Sequence, residues 1–394
     1  MTRRISYPWL LTITLGFTET VSWGVLYYAF SVFVQPMQTE LGWSRAQITG
    51  AFSLAIVVLG LSGVAVGQWL DRRGPRLLMT AGSVLGVALL LAWSRSADLV
   101  SFYAIWILMG ACWSATLYSP AFATVTAWFR QRRTEALTVV TLMAGLASTI
   151  FLPLTAYLVD MLTWRTALVA LAVLLAIATI PAHALVLRRA PEHVTEQHEP
   201  SLGLGEALRH PSFRWLALGF FCFALGIGVN VHLVPYLAGR GFALGDAAAI
   251  AGLVGAMQVV GRIFLAPLER RVPAPLLVAL VYAMQPLALF ILLVWSSAIA
   301  PFVFVVLFGA ARGVDTLIRS TAVARLYGPR RFASIQGVLS LIVTGAWAGG
   351  PVGLGAVFDR FGGYEPGLWF VLVASIIAAV AVSIGIRSSD RLRL

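Results

Sequence analysis

The sequence predicts an all-α polytopic membrane protein with twelve transmembrane helices in two pseudo-symmetric six-helix bundles. Of its 394 residues, 59% are hydrophobic and only 11% are charged, and the mean hydropathy is +0.88. Apolar runs of roughly 22 residues, the length that crosses a bilayer, recur along the whole chain. The longest polar segment divides these runs six and six. A water-soluble enzyme, a nucleic-acid-binding domain and a secreted domain are excluded, because so few charges cannot cover a soluble surface.

The spans are expected where apolar runs lie between clusters of charged, glycine and proline residues. They cover residues 8–34, 46–70, 77–95, 99–127, 135–159, 166–187, 214–238, 246–268, 274–295, 298–324, 332–357 and 366–386. The first run lacks a small-residue cleavage site after it, so we expect a span there and not a removed signal peptide.

The orientation follows from the arginines, since the chain contains no lysine and all 28 basic residues are arginine. With a cytoplasmic N-terminus, 20 arginines fall on the cytoplasmic side, five on the opposite side and three within spans. The positive-inside rule therefore predicts a multi-pass protein of the inner (plasma) membrane with both termini in the cytoplasm. The net charge of +12 reflects this topology and does not indicate nucleic acid. We expect a monomer in the lipid bilayer.

The two halves resemble each other in sequence. A polar segment at 188–212 is expected to link an N-terminal bundle, 1–187, to a C-terminal bundle, 213–394. Three motifs of the first half recur in the second at one offset of 198 residues: Leu70–Pro75 as Leu268–Pro273, Arg132–Arg133 as Arg330–Arg331, and Pro153 as Pro351. A constant offset indicates a duplicated six-helix unit, the arrangement of carriers that bind substrate between two halves.

The segment Gly67–Arg76, with the sequence GQWLDRRGPR, resembles the signature loop of the major facilitator superfamily. The resemblance implies a cytoplasmic gate motif formed by Gly67, Asp71, Arg72, Gly74, Arg76 and Arg132. The glycine is expected to let the second helix approach its neighbour, and the aspartate to pair with a cationic or helix-terminal partner. The alternative is a positively charged loop that only sets topology.

Four further segments resemble the monocarboxylate transporter and oxalate:formate antiporter group. They are Gly24–Phe30, Leu41–Ala46, Trp128–Arg133 and Gly355–Tyr364. This resemblance implies transport of a small organic anion, often with a proton. The chain departs from the group because it has no lysine: Val32 stands about where the span-one lysine of some members falls.

Ionisable residues at span depth are costly and therefore indicate function. Arg262 in span eight matches the arginine with which related transporters bind the substrate carboxylate, and Gln258 lies one turn before it. The planar guanidinium can bind a carboxylate through two parallel hydrogen bonds. The alternative is an arginine that only closes the cytoplasmic side.

Span ten carries Arg312, Asp315 and Arg319, whose spacing of three and four places them on one helix face. Asp315 can pair with either arginine but cannot neutralise both. The five span charges, with Glu19 and Arg262, sum to 3 − 2 = +1, which favours an anionic substrate. The alternative is an internal salt-bridge lock without a ligand.

Proton coupling has three candidate carriers: His232 in span seven, Glu19 and Asp315. A histidine in a span can instead only hydrogen-bond a neighbouring helix. Further candidate substrate contacts are Asn230 and three tyrosines, Tyr27, Tyr28 and Tyr118, although aromatic residues in spans also serve for packing.

The predicted function is secondary active transport of a small, monocarboxylate-like anion by alternating access, with protons as the candidate coupling ion. An efflux carrier for a drug or toxic metabolite is the alternative. An enzyme is not expected, because the sequence has no clustered nucleophile, metal-ligand motif or phosphate loop, and no catalytic residue, metal or cofactor is assigned.

Overall fold

The computed structural model describes residues 6–129, 131–189, 208–269, 271–327 and 332–389. Every regular element within these ranges is helical. Within the described residues, eleven helices, some of them kinked, are long and apolar enough to cross a membrane. The helical run from Tyr7 to Leu41 adds the first predicted span, which a π-helical segment divides into shorter pieces. The predicted all-α, twelve-span fold class is confirmed.

The described residues divide into two compact units. The first unit contains the described residues up to 189 together with Leu233–Gly252, and the second contains 208–232 together with the described residues from Leu253 onward. The sequence-based boundaries at 187 and 213 stay a prediction.

Most helices of the first unit precede residue 189. They are α1 (Tyr7–Ser22), a π-helical segment (Trp23–Tyr28), α2 (Phe30–Leu41), α3 (Arg45–Arg73), α4 (Pro75–Trp93), α5 (Leu99–Thr116), α6 (Tyr118–Trp128), α7 (Arg133–Gly145), α8 (Ala147–Met161) and α9 (Trp164–Val186).

The second half of the chain forms the remaining helices. They are α10 (Pro211–Ala224), α11 (Ile227–Gly239), α12 (Leu244–Glu269), α13 (Ala274–Val294), α14 (Ala300–Tyr327), α15 (Phe332–Phe361) and α16 (Glu365–Ser389). Helices α11 and α12 contribute to both units.

Several predicted spans consist of two consecutive helices separated by a kink. Span four is α5 followed by α6, with Leu117 in an extended conformation between them. Pro120 lies in the first turn of α6 and has no backbone N–H to continue the hydrogen bonds of α5. The kink therefore has an identifiable cause in the sequence.

Polar side chains fix the starts of three helices. Ser44 and Gln47 form a capping box at the start of α3, in which Ser44 Oγ accepts from Gln47 N (3.2 Å) and Ser44 N donates to Gln47 Oε1 (2.9 Å). Asp98 caps α5 by accepting from Ser101 N at 2.9 Å. Thr163 caps α9 in the same way.

Each unit has its own buried core. In the first unit, aromatic rings of α2, α3, α4 and α5 pack edge to face, as for Phe30 and Trp106, with ring centroids 4.8 Å apart. In the second unit, the core surrounds Tyr282 of α13, whose ring centroid is 4.7 Å from that of Phe223. Large apolar side chains on the outer faces, such as Ile177 and Phe370, are exposed, as expected for helices that contact lipid.

Candidate functional site

A charged cluster on α14 lies in the second unit. The Asp315 carboxylate accepts a hydrogen bond from the Tyr282 hydroxyl on α13, with an oxygen to oxygen distance of 2.5 Å. Its second oxygen lies 3.0 Å from Nε of Arg319. Asp315 is buried and Arg319 nearly so, and water therefore screens the attraction between their charges less than in an exposed pair. The predicted common face is therefore present, and the aspartate pairs with Arg319.

Tyr282 is a member of this cluster that sequence reasoning missed. It is fully buried, and its ring packs on Phe220 and Phe223 of α10. A single tyrosine in the aliphatic run of span nine was the only available signal, since its proximity to Asp315 depends on how α13 packs against α14.

Helices α12 and α14 approach each other closely through glycines. A Cβ at Gly313 would lie 2.2 Å from the backbone oxygen of Gln258, and one at Gly261 would lie 2.6 Å from that of Ala310. Gly309 likewise faces the backbone of α12. Small residues at a crossing allow such contact in a membrane.

This crossing places Arg262 beside α14. Its Nε donates to the backbone oxygen of Gly313 at 3.3 Å, and Gly313 is the residue that follows Arg312. Gln258, one turn earlier on α12, is half-buried at the same crossing. The α12–α14 contact thus places Arg262 and the backbone of Gln258 beside Gly313, the chain neighbour of Arg312. That the three side chains form one site stays a prediction.

Two arginines of α14 also lie over aromatic rings. The guanidinium carbon of Arg312 is 5.5 Å from the ring centroid of Phe308, and that of Arg319 is 5.8 Å from the ring of Trp347. Such contacts stabilise a cation that has left bulk water.

His232 belongs to a separate network in the second unit. Its Nε2 donates to the backbone oxygen of Pro351 at 2.8 Å, since a carbonyl can only accept, and Nδ1 is 2.8 Å from the Tyr364 hydroxyl. Both ring nitrogens therefore connect α11 to α15 and to the residue before α16. Asn230 is half-buried two residues away.

The predicted tyrosines of the first unit surround Trp23, which opens the π-helical segment. The ring centroid of Trp23 is 4.9 Å from that of Tyr118, 5.0 Å from Tyr27 and 6.2 Å from Tyr28. The segment that resembles the monocarboxylate transporter group begins at Gly24, and the sequence did not single out Trp23, the residue immediately before it.

Glu19 lies one turn before this aromatic group. It is fully buried, and neither carboxyl oxygen has a hydrogen-bond partner among the described residues. The indole N–H of Trp23, four residues later, likewise has no hydrogen-bond partner there.

The signature loop corrects one prediction. Around Gly67, no described atom lies within 4 Å of the Cβ position, so the expected close approach at this glycine is wrong. The conformational need for glycine lies at Gly74, which ends α3 with φ of +74° and whose Cβ position is 3.1 Å from Cβ of Arg189. The side chain of Asp71 lies outside the described residues.

The arginines of the predicted gate motif lie at the surface. Arg72 and Arg76 are exposed. Arg132 pairs with Glu135 at 2.5 Å and lies over the ring of Trp9, with 5.0 Å from the guanidinium carbon to the ring centroid. These contacts are consistent with a loop at the headgroup level of a membrane.

The family of this chain follows from comparison of its sequence with known protein families. The sequence profile described as Major Facilitator Superfamily matches residues 10–351. The chain belongs to this superfamily. It is 26% identical over 380 residues to monocarboxylate transporter 13 of Rattus norvegicus, covering 95% of this chain and 87% of the relative.

Two further comparisons bear on the subfamily and the fold. The oxalate:formate antiporter of Oxalobacter formigenes is 26% identical over 226 residues, which is 55% of this chain and 53% of the antiporter. A bacterial homologue of the human lysosomal transporter Spinster, solved inward-facing and unoccupied, has a similar fold: the TM-score is 0.74 with 16% identity, over 100% of this chain and 99% of that one. The predicted superfamily and its resemblance to these transporter groups are confirmed.

Proposed function

We propose that this superfamily member is a secondary transporter of small carboxylate anions that works by alternating access and is coupled to protons. The observation that carries the proposal is the arginine cluster at the α12–α14 crossing. The relatives named monocarboxylate transporter and oxalate:formate antiporter support the same class of substrate.

The charge of the cluster supports an anionic ligand. Arg262, Arg312 and Arg319 carry three positive charges and Asp315 one negative charge, so these four residues have a net charge of 3 − 1 = +2. Asp315 is already engaged by Arg319 and Tyr282. Since each arginine at span depth costs at least ~2.5 kcal/mol, a carboxylate bound at Arg262 and Arg312 offsets part of this cost.

The geometry suits a carboxylate better than a diffuse anion. A guanidinium presents parallel N–H groups that match the two oxygens of a carboxylate. Arg262 lies against Gly313, the residue that follows Arg312, and the backbone of Gln258 lies at the same crossing. The contributions of Asn230, Tyr27, Tyr28 and Tyr118 to substrate binding stay predictions.

Transport by the purified chain in liposomes tests the proposal. Labelled L-lactate, acetate and oxalate are offered at the outside, with lactamide as a neutral analogue of lactate. We expect saturable uptake of at least one carboxylate and none of lactamide. If no carboxylate is transported, and neutral apolar compounds instead raise the unfolding temperature of the purified protein, the proposal is contradicted and the efflux alternative is favoured.

Charge-removing variants locate the site. If Arg262 and Arg312 each bind the carboxylate through charge-assisted bonds of about 1.5 to 3 kcal/mol, replacement by Gln raises the dissociation constant roughly 10- to 150-fold. Arg360→Gln removes the same charge from an exposed position on α15 and is the matched control. Unchanged affinity in both Arg262→Gln and Arg312→Gln would place the anion elsewhere.

We also propose the orientation that the arginine distribution predicts, with both termini in the cytoplasm. A cysteine introduced at Arg189 should react with an impermeant maleimide only from the cytoplasmic side, and one at Arg240 only from outside. Labelling of both from one side would contradict this topology.

A further inference from the structure

At the junction of α1 with the π-helical segment, three buried polar groups have no hydrogen-bond partner among the described residues. Ser22 and Trp23 lie three and four residues after Glu19, so both side chains are its neighbours on the helix surface. Among the described residues, the carboxyl oxygens of Glu19, the hydroxyl of Ser22 and the indole N–H of Trp23 have no hydrogen-bond partner. Buried polar groups without partners are rare and costly in native proteins, so this cluster requires an explanation.

The backbone at this position is also irregular. The amide of Ala29 donates to the carbonyl of Gly24, five residues earlier, which is the hydrogen bond of a π-helix. A Cβ at Gly24 would lie 2.1 Å from the ring of Phe151, so α8 packs directly on the segment. Single π-helical turns inside α-helices occur frequently at functional sites.

Charged and titratable groups on the elements packed against α1 do not compensate Glu19. These elements are the π-helical segment, α6, α7, α8 and α9. Four of the titratable and charged groups on these elements have other partners: Arg133 contacts Phe129 O, Glu135 contacts Arg132, Arg165 contacts Glu40, and His183 contacts Ser83. Tyr157 and Asp160 are exposed. Tyr27, Tyr28 and Tyr118 belong to the aromatic group around Trp23. On α1 itself, Tyr7 donates to Val186 O.

The other two candidate proton carriers have fixed partners. Asp315 is held by Tyr282 and Arg319, and both ring nitrogens of His232 are hydrogen-bonded. Protonating Asp315 gives up its ion pair with Arg319, and the Nε2–H of His232 is committed to the backbone oxygen of Pro351. Glu19 has no such partner to give up among the described residues.

We propose that Glu19 is the proton-binding group of the transport cycle, with Ser22 and Trp23 as its polar surroundings. Its carboxylate takes up one proton to form the neutral acid before the site is closed from water, and it releases that proton on the opposite side. The neutral acid is far less costly to bury than the carboxylate. One proton carried with one monocarboxylate makes the cycle electroneutral. This inference rests on the proposed function.

The test compares two modes of transport in liposomes that contain the purified chain. Accumulation of labelled L-lactate is driven by an inside-alkaline pH gradient, whereas exchange of labelled for unlabelled lactate needs no net proton movement. We expect Glu19→Gln to exchange lactate within about twofold of wild type and to lose gradient-driven accumulation. Glu19→Asp, which keeps a titratable group, should retain accumulation in part. Glu365→Gln removes an exposed carboxylate on α16 and should accumulate as wild type does.

A second measurement does not depend on transport. Infrared difference spectra at neutral pH should show the carbonyl band of a protonated buried carboxyl in wild type, and Glu19→Gln should lack it. Undiminished gradient-driven accumulation in Glu19→Gln, or absence of the band from wild type, overturns the assignment. If wild type moves no carboxylate, the proposed function fails, and a band lost in Glu19→Gln still identifies Glu19 as a proton-binding group.

Discussion

The two units differ in the partners that surround a buried acid. In the second unit, Asp315 has an arginine and a tyrosine hydroxyl as partners. In the first unit, Glu19 is more deeply buried, at 0% exposure against 7%, and has no hydrogen-bond partner within the described residues. The proposed roles of the two acids follow from this difference. A paired carboxylate holds its neighbours in place, whereas one without partners is the better candidate to gain and lose a proton.

Removing the acid from each unit should give the largest difference in stability between two variants. Asp315→Asn leaves the mostly buried Arg319 without its counter-ion, and we expect this variant to lower the free energy of unfolding by about 3 to 5 kcal/mol. Glu19→Gln removes a carboxylate that has no ion-pair partner within the described part of the chain, so the stability of this variant should equal or exceed that of wild type. Unfolding of the purified proteins in detergent, followed by circular dichroism, measures both.

The double variant Asp315→Asn, Arg319→Gln sharpens this comparison, because it removes both charges together. It should recover most of the stability that Asp315→Asn loses. Equal losses in Glu19→Gln and Asp315→Asn would show that the two acids have similar surroundings, and the contrast between the units would be wrong.

The hydroxyl of Tyr282 should have the next largest effect. Tyr282→Phe removes a buried hydrogen bond to a charged acceptor and leaves the ring packing in place, so we expect a loss of about 1.5 to 3 kcal/mol. Tyr157→Phe is the matched control, since Tyr157 is 60% exposed on α8. Stability equal to wild type in Tyr282→Phe would mean that Arg319 alone satisfies Asp315.

The sequence predicted much of the charged cluster but not its pairing. Because helical periodicity is regular, the spacing of Arg312, Asp315 and Arg319 was enough to place them on one face. Which arginine pairs with Asp315 depends on side-chain geometry, and the contribution of Tyr282 depends on the packing of another helix. Neither is encoded in local spacing.

The first unit shows the same limit. Hydropathy predicted the first span and placed Glu19 within it, but the π-helical turn and the role of Trp23 arise from contacts with α8 and α6. The signature loop also shows that a motif does not assign the role of each glycine. Gly67 has open space around it, whereas Gly74 adopts a positive φ that other residues rarely adopt.

Replacing a glycine at the α12–α14 crossing should lower the stability by as much as Tyr282→Phe does, or by less. The added methyl group of Gly313→Ala meets the backbone of Gln258, and backbone cannot move as a flexible side chain can. We expect a loss of about 1 to 3 kcal/mol, together with weaker carboxylate binding as Arg262 moves away from Gly313. Thermal unfolding and binding of labelled lactate measure the two effects.

The control for this substitution is Gly353→Ala on α15, where no described atom lies within 4 Å of the Cβ position. An alanine there should keep or raise stability by about 0.5 to 1 kcal/mol, because it restricts the unfolded chain. If both variants behave alike, the close contact of α12 and α14 does not position Arg262.

The smallest effect is expected from an exposed ion pair in the first unit, which isolates the contribution of burial. Glu40 and Arg165 form the same kind of pair as Asp315 and Arg319, with 2.8 Å between Glu40 Oε1 and Arg165 Nε, but the Glu40 side chain is 47% exposed. Arg165 also donates to the backbone oxygens of Ser94 and Ser96 at 2.9 Å each, so it keeps partners when Glu40 is replaced. Glu40→Gln should therefore cost only about 0.2 to 1 kcal/mol at pH 7.

The pH dependence gives this last prediction its sign. Burial raises the pKa of the Glu40 carboxyl, but the hydrogen bonds from Arg165 and Trp164 and the charge of Arg165 outweigh it, and the pKa lies below its ordinary value. A carboxyl whose pKa is lowered by folding stabilises the folded state above its unfolded pKa, and this contribution disappears as the pH falls through the folded pKa. The difference in unfolding temperature between wild type and Glu40→Gln should thus be present at pH 7 and vanish in strongly acidic solution. A difference that persists there would mean that Glu40 acts through packing and not through its charge. A loss at pH 7 as large as that of Asp315→Asn would show that burial does not set the strength of these pairs.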